Sequence, residues 1–246
     1  NRYYSFQIIE LYTHNIGYVG TRPTGFNEGS YLFAGPNWDG EVPDGIDKVF
    51  RSEGNYLLVL GRTQVFGPDD LENTKKVLEG FSVESLNVFN GLNEIAKIPE
   101  NPNIPPFNHS QIKNINFISY LNALLATASI HPSEKELFNK FSKIGIEPGK
   151  TFNEADLEPE LKEAIETGIV NAMKKIEAEA SNLGDRQNGW MLISGAFGNR
   201  EAMQGKYLRR AAAAYFGLWG NNLEEAYYPE ANLDEDGEEL DGSKHN

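Results

Sequence analysis

With 246 residues, 39% of them hydrophobic and 24% charged, the chain has the make-up of a soluble globular protein of one large or two modest domains. Its formal charge of −14 argues against a nucleic-acid backbone or an anionic membrane surface as partner, because either needs a positive face. The absence of cysteine excludes disulfides, thiolate zinc sites and a cysteine nucleophile. Four histidines are too scattered to build a metal site by local spacing, and no apolar run approaches the roughly 18 residues of a membrane span. The charge is local: nine acids and no Lys or Arg lie between Glu224 and Asp241.

Residues 1–92 read as a β domain. The opening Asn1-Arg2-Tyr3-Tyr4-Ser5-Phe6 resembles the inside of a folded domain rather than a signal peptide, so a processed or trimmed chain is expected. Tyr3 to Tyr12 is aromatic and β-branched enough for a strand. Gly17 to Gly25 reads as a strand end and turn, and Tyr31 to Gly35 as a short strand closed by Gly35-Pro36. Asn37 to Gly40 and Pro43 to Gly45 carry turn chemistry, with glycine supplying positive φ and aspartate bonding its own backbone. Ile46 to Arg51 and Tyr56 to Gln64 complete a set of short, regularly spaced strands, the pattern of a sandwich or barrel. One helix interrupts after Pro68, with Asp69 and Asp70 at its positive end and Lys75 and Lys76 toward the other.

Four prolines between Pro99 and Pro106 mark 93–107 as a linker. Residues 108–220 read as a helical domain. Ile112, Ile115, Ile118, Leu121 and Leu125 form one apolar stripe, and Leu161, Ile165, Ile169, Met173, Ile176 and Ala180 form another on the longest helix. Ser133 with Glu136 predicts a capping box, Gly145 a helix end, and Asn199 the cap of a last helix running through Tyr215. The small run Arg209-Arg210-Ala211-Ala212-Ala213-Ala214 predicts close packing by another element. From 221 to 246 the character returns to β, with turns at Asp234 to Gly237 and Asp241 to Ser243. That segment looks like the entry to a further, truncated β domain.

Two stretches deliver polar groups where a buried strand meets a loop: Gly20-Thr21-Arg22-Pro23-Thr24-Gly25 and Gly61-Arg62-Thr63-Gln64. Arg22, Thr24, Arg62 and Thr63, with Tyr3 and Arg51, are therefore candidates for holding an anionic or sugar-like ligand, since a guanidinium fork matches carboxylate or phosphate two bonds at a time. The competing reading is structural, with arginines at strand ends bonding loop carbonyls and acids such as Asp39, Glu41 or Glu53. His14, at a strand end near Tyr12 and Asn15, and Tyr3 are the candidates for proton transfer if the site is catalytic. There is no Gly-x-Ser-x-Gly elbow, no His-Glu-x-x-His helix and no phosphate loop. Asn232, Asp234 and Asp236, followed by Gly237, match the opening of a calcium loop. The position for a bidentate glutamate holds Ser243, so a hairpin turn on an acidic surface is the competing reading. No other cofactor is implied. Asn108-His109-Ser110 reads as a glycosylation acceptor or, more simply, a helix cap. The aromatic set Tyr3, Tyr4, Tyr12, Tyr18, Tyr31 and Trp38 reads as core or as a sugar platform.

Over nearly its whole length the chain resembles the paired domain-of-unknown-function families numbered 1254 and 1214. The matching stretches are Arg2 to Arg22, Tyr31 to Gly40, Gly61 to Thr63 and Leu208 to Asn221, with Asp236 to Lys244 resembling the entry to the second domain. The resemblance implies an α+β, multidomain fold: an Ig-like β-sandwich, an inserted helical bundle and the start of a jelly-roll-like β domain. It implies an exported protein, secreted or in the cell envelope, and brings no agreed activity or catalytic residue. Measured against the family, the chain lacks the usual leader, the first part of the sandwich and almost all of the C-terminal domain. A binding or assembly protein, as a homo-oligomer or with a second chain supplying the missing β domain, is the first expectation, because an open β edge must be covered. A hydrolase or lyase acting on an acidic or carbohydrate substrate is the second.

Overall fold

The computed structural model describes residues 2–93, 104–106, 108–231, 233–234 and 237–243, so most of the expected 93–107 linker lies outside the described residues. The chain is α+β, with three small sheets, and divides into two compact units: Asn1–Leu11 with Gly17–Ile169, and Tyr12–Ile16 with Val170–Asn246.

The first unit is built on strands β1 (Tyr4–Glu10), β2 (Asn15–Gly20) and β5 (Leu57–Thr63), in the order β2-β1-β5, and on a parallel pair, β3 (Tyr31–Ala34) with β4 (Lys48–Arg51). Strand β1 runs antiparallel to β5 with Tyr4 opposite Thr63 and Glu10 opposite Leu57. Side chains alternate along a strand, so Tyr4, Phe6 and Ile8 share one face, and Ser5, Gln7 and Ile9 the other. Phe81 covers the first face, its ring centroid 4.7 Å from that of Phe6 and 5.8 Å from that of Tyr4. Phe50 of β4 fills the space at Gly17, where a Cβ would lie 2.2 Å from its ring.

Helix α1 (Leu71–Leu78) follows a single 3-10 turn at Pro68–Asp70, as Pro68 predicts, and ends at Leu78, two residues before Gly80. It is joined to the start of β1 by Arg2, whose guanidinium holds both Asp70 oxygens at 2.8 Å, the Thr74 hydroxyl at 2.6 Å and the Gln64 carbonyl at 2.8 Å. A short helix α2 (Leu86–Phe89), capped by Ser85, is not evident from the sequence pattern. Helices α3 (Phe117–Leu125) and α4 (Lys135–Phe141) follow, and Ile115, Ile118 and Leu125 of the predicted stripe are buried. Asn55 N–H donates to Thr127 and Ser129 N–H to Glu53, tying the approach to β5 to the segment after α3.

Two capping expectations resolve differently. Gly145 ends the α4 region in the left-handed conformation, φ 83°, as expected. The Ser133–Glu136 capping box does not form: His131 is the cap, accepting the Ser133 N–H on Nδ1, and the Ser133 hydroxyl turns back to the same nitrogen at 2.7 Å.

Helix α5 (Pro159–Ala180) carries the predicted stripe, with Ile165 and Ala180 buried at either end. In the second unit the expected continuous helical run is broken by a hairpin, β6 (Gly184–Gln187) with β7 (Trp190–Ile193), to which β8 (Pro229–Glu230) adds antiparallel. Asn199 caps the next helix through Ala202 N–H, but that helix is only α6 (Arg200–Met203); Gly205, at φ 74°, turns the chain before α7 (Tyr207–Phe216). Ala212 and Ala213 of the small run are buried against Leu183, Met191 and Ile193. Arg209 closes this core, donating to the carbonyls of Leu183 and Ser194 and to Glu179. Arg210 donates to the Tyr12 carbonyl.

Candidate functional site

Of the predicted arginines, Arg62 stands on β5 and Arg22 in the turn that follows β2, the two strands that flank β1. Arg62 is directly opposite Ser5 and therefore on the face of Ser5 and Gln7. Its guanidinium, half-buried, donates to the Gln7 side-chain oxygen at 3.0 Å. On the other side of β1, Gly20 lies so close that a Cβ would sit 2.8 Å from the Ser5 Cα and 2.3 Å from the Tyr4 carbonyl. The Thr21 N–H donates to that carbonyl at 3.0 Å, fixing the register of the turn against β1. With Gly20 beside Ser5, alternation places Tyr18 beside Gln7. Arg22 folds back over Tyr18, its guanidinium carbon 5.7 Å from the ring centroid, a cation–π contact. One sheet face thus carries, from β2 to β5, the ring of Tyr18 under Arg22, the polar pair Ser5 and Gln7, and Arg62.

Ser5 and Gln7 are 1% and 0% exposed, and the Ser5 hydroxyl has no hydrogen-bond partner among the described residues. A buried hydroxyl without a partner costs stability unless something is bound to it. Sequence reading passes over Ser5 and Gln7. The signal is there in Tyr3-x-Ser5-x-Gln7, a polar alternation within an otherwise apolar strand.

The other candidates take different positions. Thr24 closes the turn, its hydroxyl accepting the Gly20 N–H at 2.9 Å and contacting the Gly20 carbonyl at 3.1 Å. Thr63 is opposite Tyr4 and so projects from the face opposite Arg62. Arg51, on β4, stacks on Trp38 at 5.4 Å and donates to the Trp38 carbonyl at 3.1 Å. Tyr3, half-buried, alternates onto the Ser5 face and its carbonyl accepts the Gln64 N–H at 2.9 Å. His14 belongs to the second unit, where it is 1% exposed beside Tyr12, ring centroids 6.4 Å apart.

Asn232 and Asp236 of the calcium candidate lie outside the described residues. Asp234 closes a hairpin turn: its carboxylate accepts the Glu238 N–H at 2.9 Å, Gly237 takes φ 82°, and Leu233 pairs with Glu239. Asn108 caps a 3-10 turn through the Ser110 N–H at 3.1 Å, the simpler of its two readings.

Electrostatically the most constrained carboxylate is Asp70. The Arg2 hydrogen bond, reinforced by the Phe66 N–H, holds it far below the usual carboxylate range, so it is a fixed anion. Its role is to join β1 to α1, and it leaves the Arg62 face untouched.

Among solved structures, this arrangement of strands and helices recurs in the VPA0106 protein from Vibrio parahaemolyticus: TM-score 0.77, 24% identity, 99% of this chain aligned. The chain spans 57% of the length of that protein. Within it, residues 1–85, which include β1, β2, β5 and both arginines, match the family described as Protein of unknown function (DUF1254). No curated protein matches the chain. Among the described residues no helix is long and apolar enough to cross a membrane.

Proposed function

We propose that this chain is part of a binding and assembly protein whose first unit holds an anionic group, carboxylate or phosphate, against the Ser5–Gln7 face between Arg62 and Arg22. The observation that carries this reading is the placement of Arg62, and of Arg22 through the Tyr18 ring, along one sheet face, with the unpartnered Ser5 hydroxyl buried between them. Arg62 supplies the fixed fork, its orientation set by Gln7. Arg22, exposed on the Tyr18 ring, supplies the second charge. Thr24 holds the turn that carries Arg22, while Thr63 and Arg51 support the surrounding strands. The resemblance to families 1254 and 1214 supports the finer architecture of an Ig-like sandwich, a helical bundle and a jelly-roll entry, and supports export to the envelope or medium. Assembly with further copies uses the open edge of β5.

Titration with inorganic phosphate and with citrate, followed by amide chemical shifts, tests the site. Binding should perturb Ser5, Gln7, Tyr18 and Arg62. Arg62→Ala, if its thermal unfolding matches the parent, should weaken binding about tenfold or more, the scale of a lost charge-assisted hydrogen bond of roughly 1.5–3 kcal/mol. Arg62→Ala that unfolds, together with a folded Arg22→Ala that binds undiminished, would assign both arginines to structure alone. In the alternative reading, a hydrolase or lyase, Tyr3 is the better placed proton-transfer group because it shares the Arg62 face. That reading requires turnover that Tyr3→Phe abolishes without loss of anion binding.

A further inference from the structure

The second unit contains a cleft that the anion site does not involve. Its volume is about 580 Å³, within the range of small-molecule sites. Ala180 at the end of α5 and Met191 of β7 form a buried apolar floor. Tyr215 and Phe216, the last two residues of α7, form the wall and are 47% and 49% exposed. Glu177, Glu230 and Arg186 stand around them.

The wall has a physical origin. Helix α7 presents Ala212 and Ala213 to the core, so its last turn comes close to β7. Gly217 then leaves the helix in extended conformation, and the two aromatic rings remain at the surface with no helical turn beyond them. Glu177, three residues before Ala180 on α5, accepts the Tyr215 hydroxyl at 3.3 Å, which orients the ring. Glu230 is placed by the β7–β8 ladder, directly opposite Met191. Arg186 lies opposite Met191 on the other side of β7, exposed, and donates to the Ser181 carbonyl at 3.4 Å.

Two carboxylates against one guanidinium make the lining net negative, in a chain already at −14. Aromatic faces beside carboxylates attract a cation by its charge while the apolar floor takes its body. An anionic ligand would meet Glu177 and Glu230; a neutral one would gain only the floor and wall. We infer that this cleft binds a small organic cation with an apolar body, an alkyl- or arylammonium, its charge set between the aromatic wall and Glu230. Glu177 acts as a positioning residue through Tyr215.

The test is a shift-perturbation titration of the whole chain with phenethylammonium, its neutral counterpart 2-phenylethanol and the anion 3-phenylpropionate. Phenethylammonium should perturb Ala180, Met191, Phe216 and Glu230, and bind about tenfold more tightly than the alcohol, as expected for a cation on an aromatic and carboxylate lining. Glu230→Gln, which leaves the β7–β8 backbone pairing in place, should reduce that preference several-fold, and Phe216→Ala should weaken both ligands, the amine more than the alcohol. Equal binding of amine and alcohol, preference for 3-phenylpropionate, or perturbations confined to other regions would overturn the assignment. So would a folded Glu230→Gln that keeps the full preference. None of these outcomes bears on the anion site of the first unit, so the two readings fail separately.

Discussion

At the scale of single residues, Asn122 shows how a buried polar side chain fixes a loop. It is 1% exposed on α3, and its three side-chain hydrogen bonds all go to backbone of the 145–150 segment: Nδ2 donates to the carbonyls of Gly145 and Lys150 at 2.9 and 3.0 Å, and Oδ1 accepts the N–H of Glu147 at 2.9 Å. Asn122→Ala leaves these groups without partners, and at roughly 1–3 kcal/mol for each one that water cannot reach, a loss of about 3 kcal/mol in urea unfolding is expected. Asn122→Asp should be worse, because a carboxylate would face two carbonyl oxygens. The Arg2–Asp70 pair makes a different prediction, because its effect depends on pH. The Asp70 carboxyl is held below its unfolded value, so the unfolded chain takes up the proton first. The pair's stabilisation is therefore present above about pH 4, the unfolded carboxyl value, and is lost as pH falls further. Thermal unfolding of Asp70→Asn should show a shallower acid limb below that pH than the parent, and a lower midpoint at pH 7. Equal slopes would remove Asp70 from the account of acid sensitivity.

At the scale of elements, two glycines in one turn separate backbone strain from steric contact. Gly25 has φ 80° and nothing within 4 Å of a Cβ, whereas Gly20 has φ 151° and a Cβ there would meet the Tyr4 carbonyl at 2.3 Å. Gly25→Ala should cost about 1–2 kcal/mol, the left-handed penalty alone. Gly20→Ala should cost distinctly more and weaken protection from hydrogen exchange in β1 and β2, because the two strands must part. Strands β3, β4 and β5 are legible in the sequence because turn residues bracket them, Gly35-Pro36 after β3, Asp44-Gly45 before β4 and Glu53-Gly54-Asn55 before β5, whereas β1 and β2 meet at Leu11-Tyr12-Thr13-His14 with no such signal and only the end of β2 is evident. The hairpin of the second unit is also written there, as Asn188-Gly189 between β6 and β7, both at positive φ. Such a dipeptide is a strong two-residue hairpin signal, but β6 reads Gly-Asp-Arg-Gln, with no apolar residue to mark a strand, between two helical patterns. The arginines of the candidate site are legible as strand-end polar groups, while their partners are not. Gln7 and Arg62 are 55 residues apart, and Arg2 and Asp70 are 68, distances over which no local pattern carries information.

At the scale of the whole molecule, the consequential feature is the outer edge of the first unit's main sheet. Gln64 N–H bonds the Tyr3 carbonyl and Thr21 N–H the Tyr4 carbonyl. In an antiparallel ladder hydrogen-bonded pairs recur every second residue, so Leu58, Leu60 and Arg62 bond β1, and Leu57, Val59, Gly61 and Thr63 turn their backbone groups outward. Among the described residues β5 ends the sheet order, with Leu58 and Val59 36% and 39% exposed. An apolar edge of this kind is a template for another strand. In the proposed assembly a second copy would pair antiparallel about Leu60, setting Val59 against Gly61 and Leu58 against Arg62, with no like charges opposed. Assembly through this edge should disappear in Val59→Pro, which removes one outward donor and leaves every β1–β5 bond in place. Sedimentation over a concentration series should show association for the parent and a monomer for the variant, with far-UV circular dichroism unchanged. A parent that stays monomeric at every concentration, or a folded Val59→Pro that associates as strongly as the parent, would remove β5 as the assembly edge.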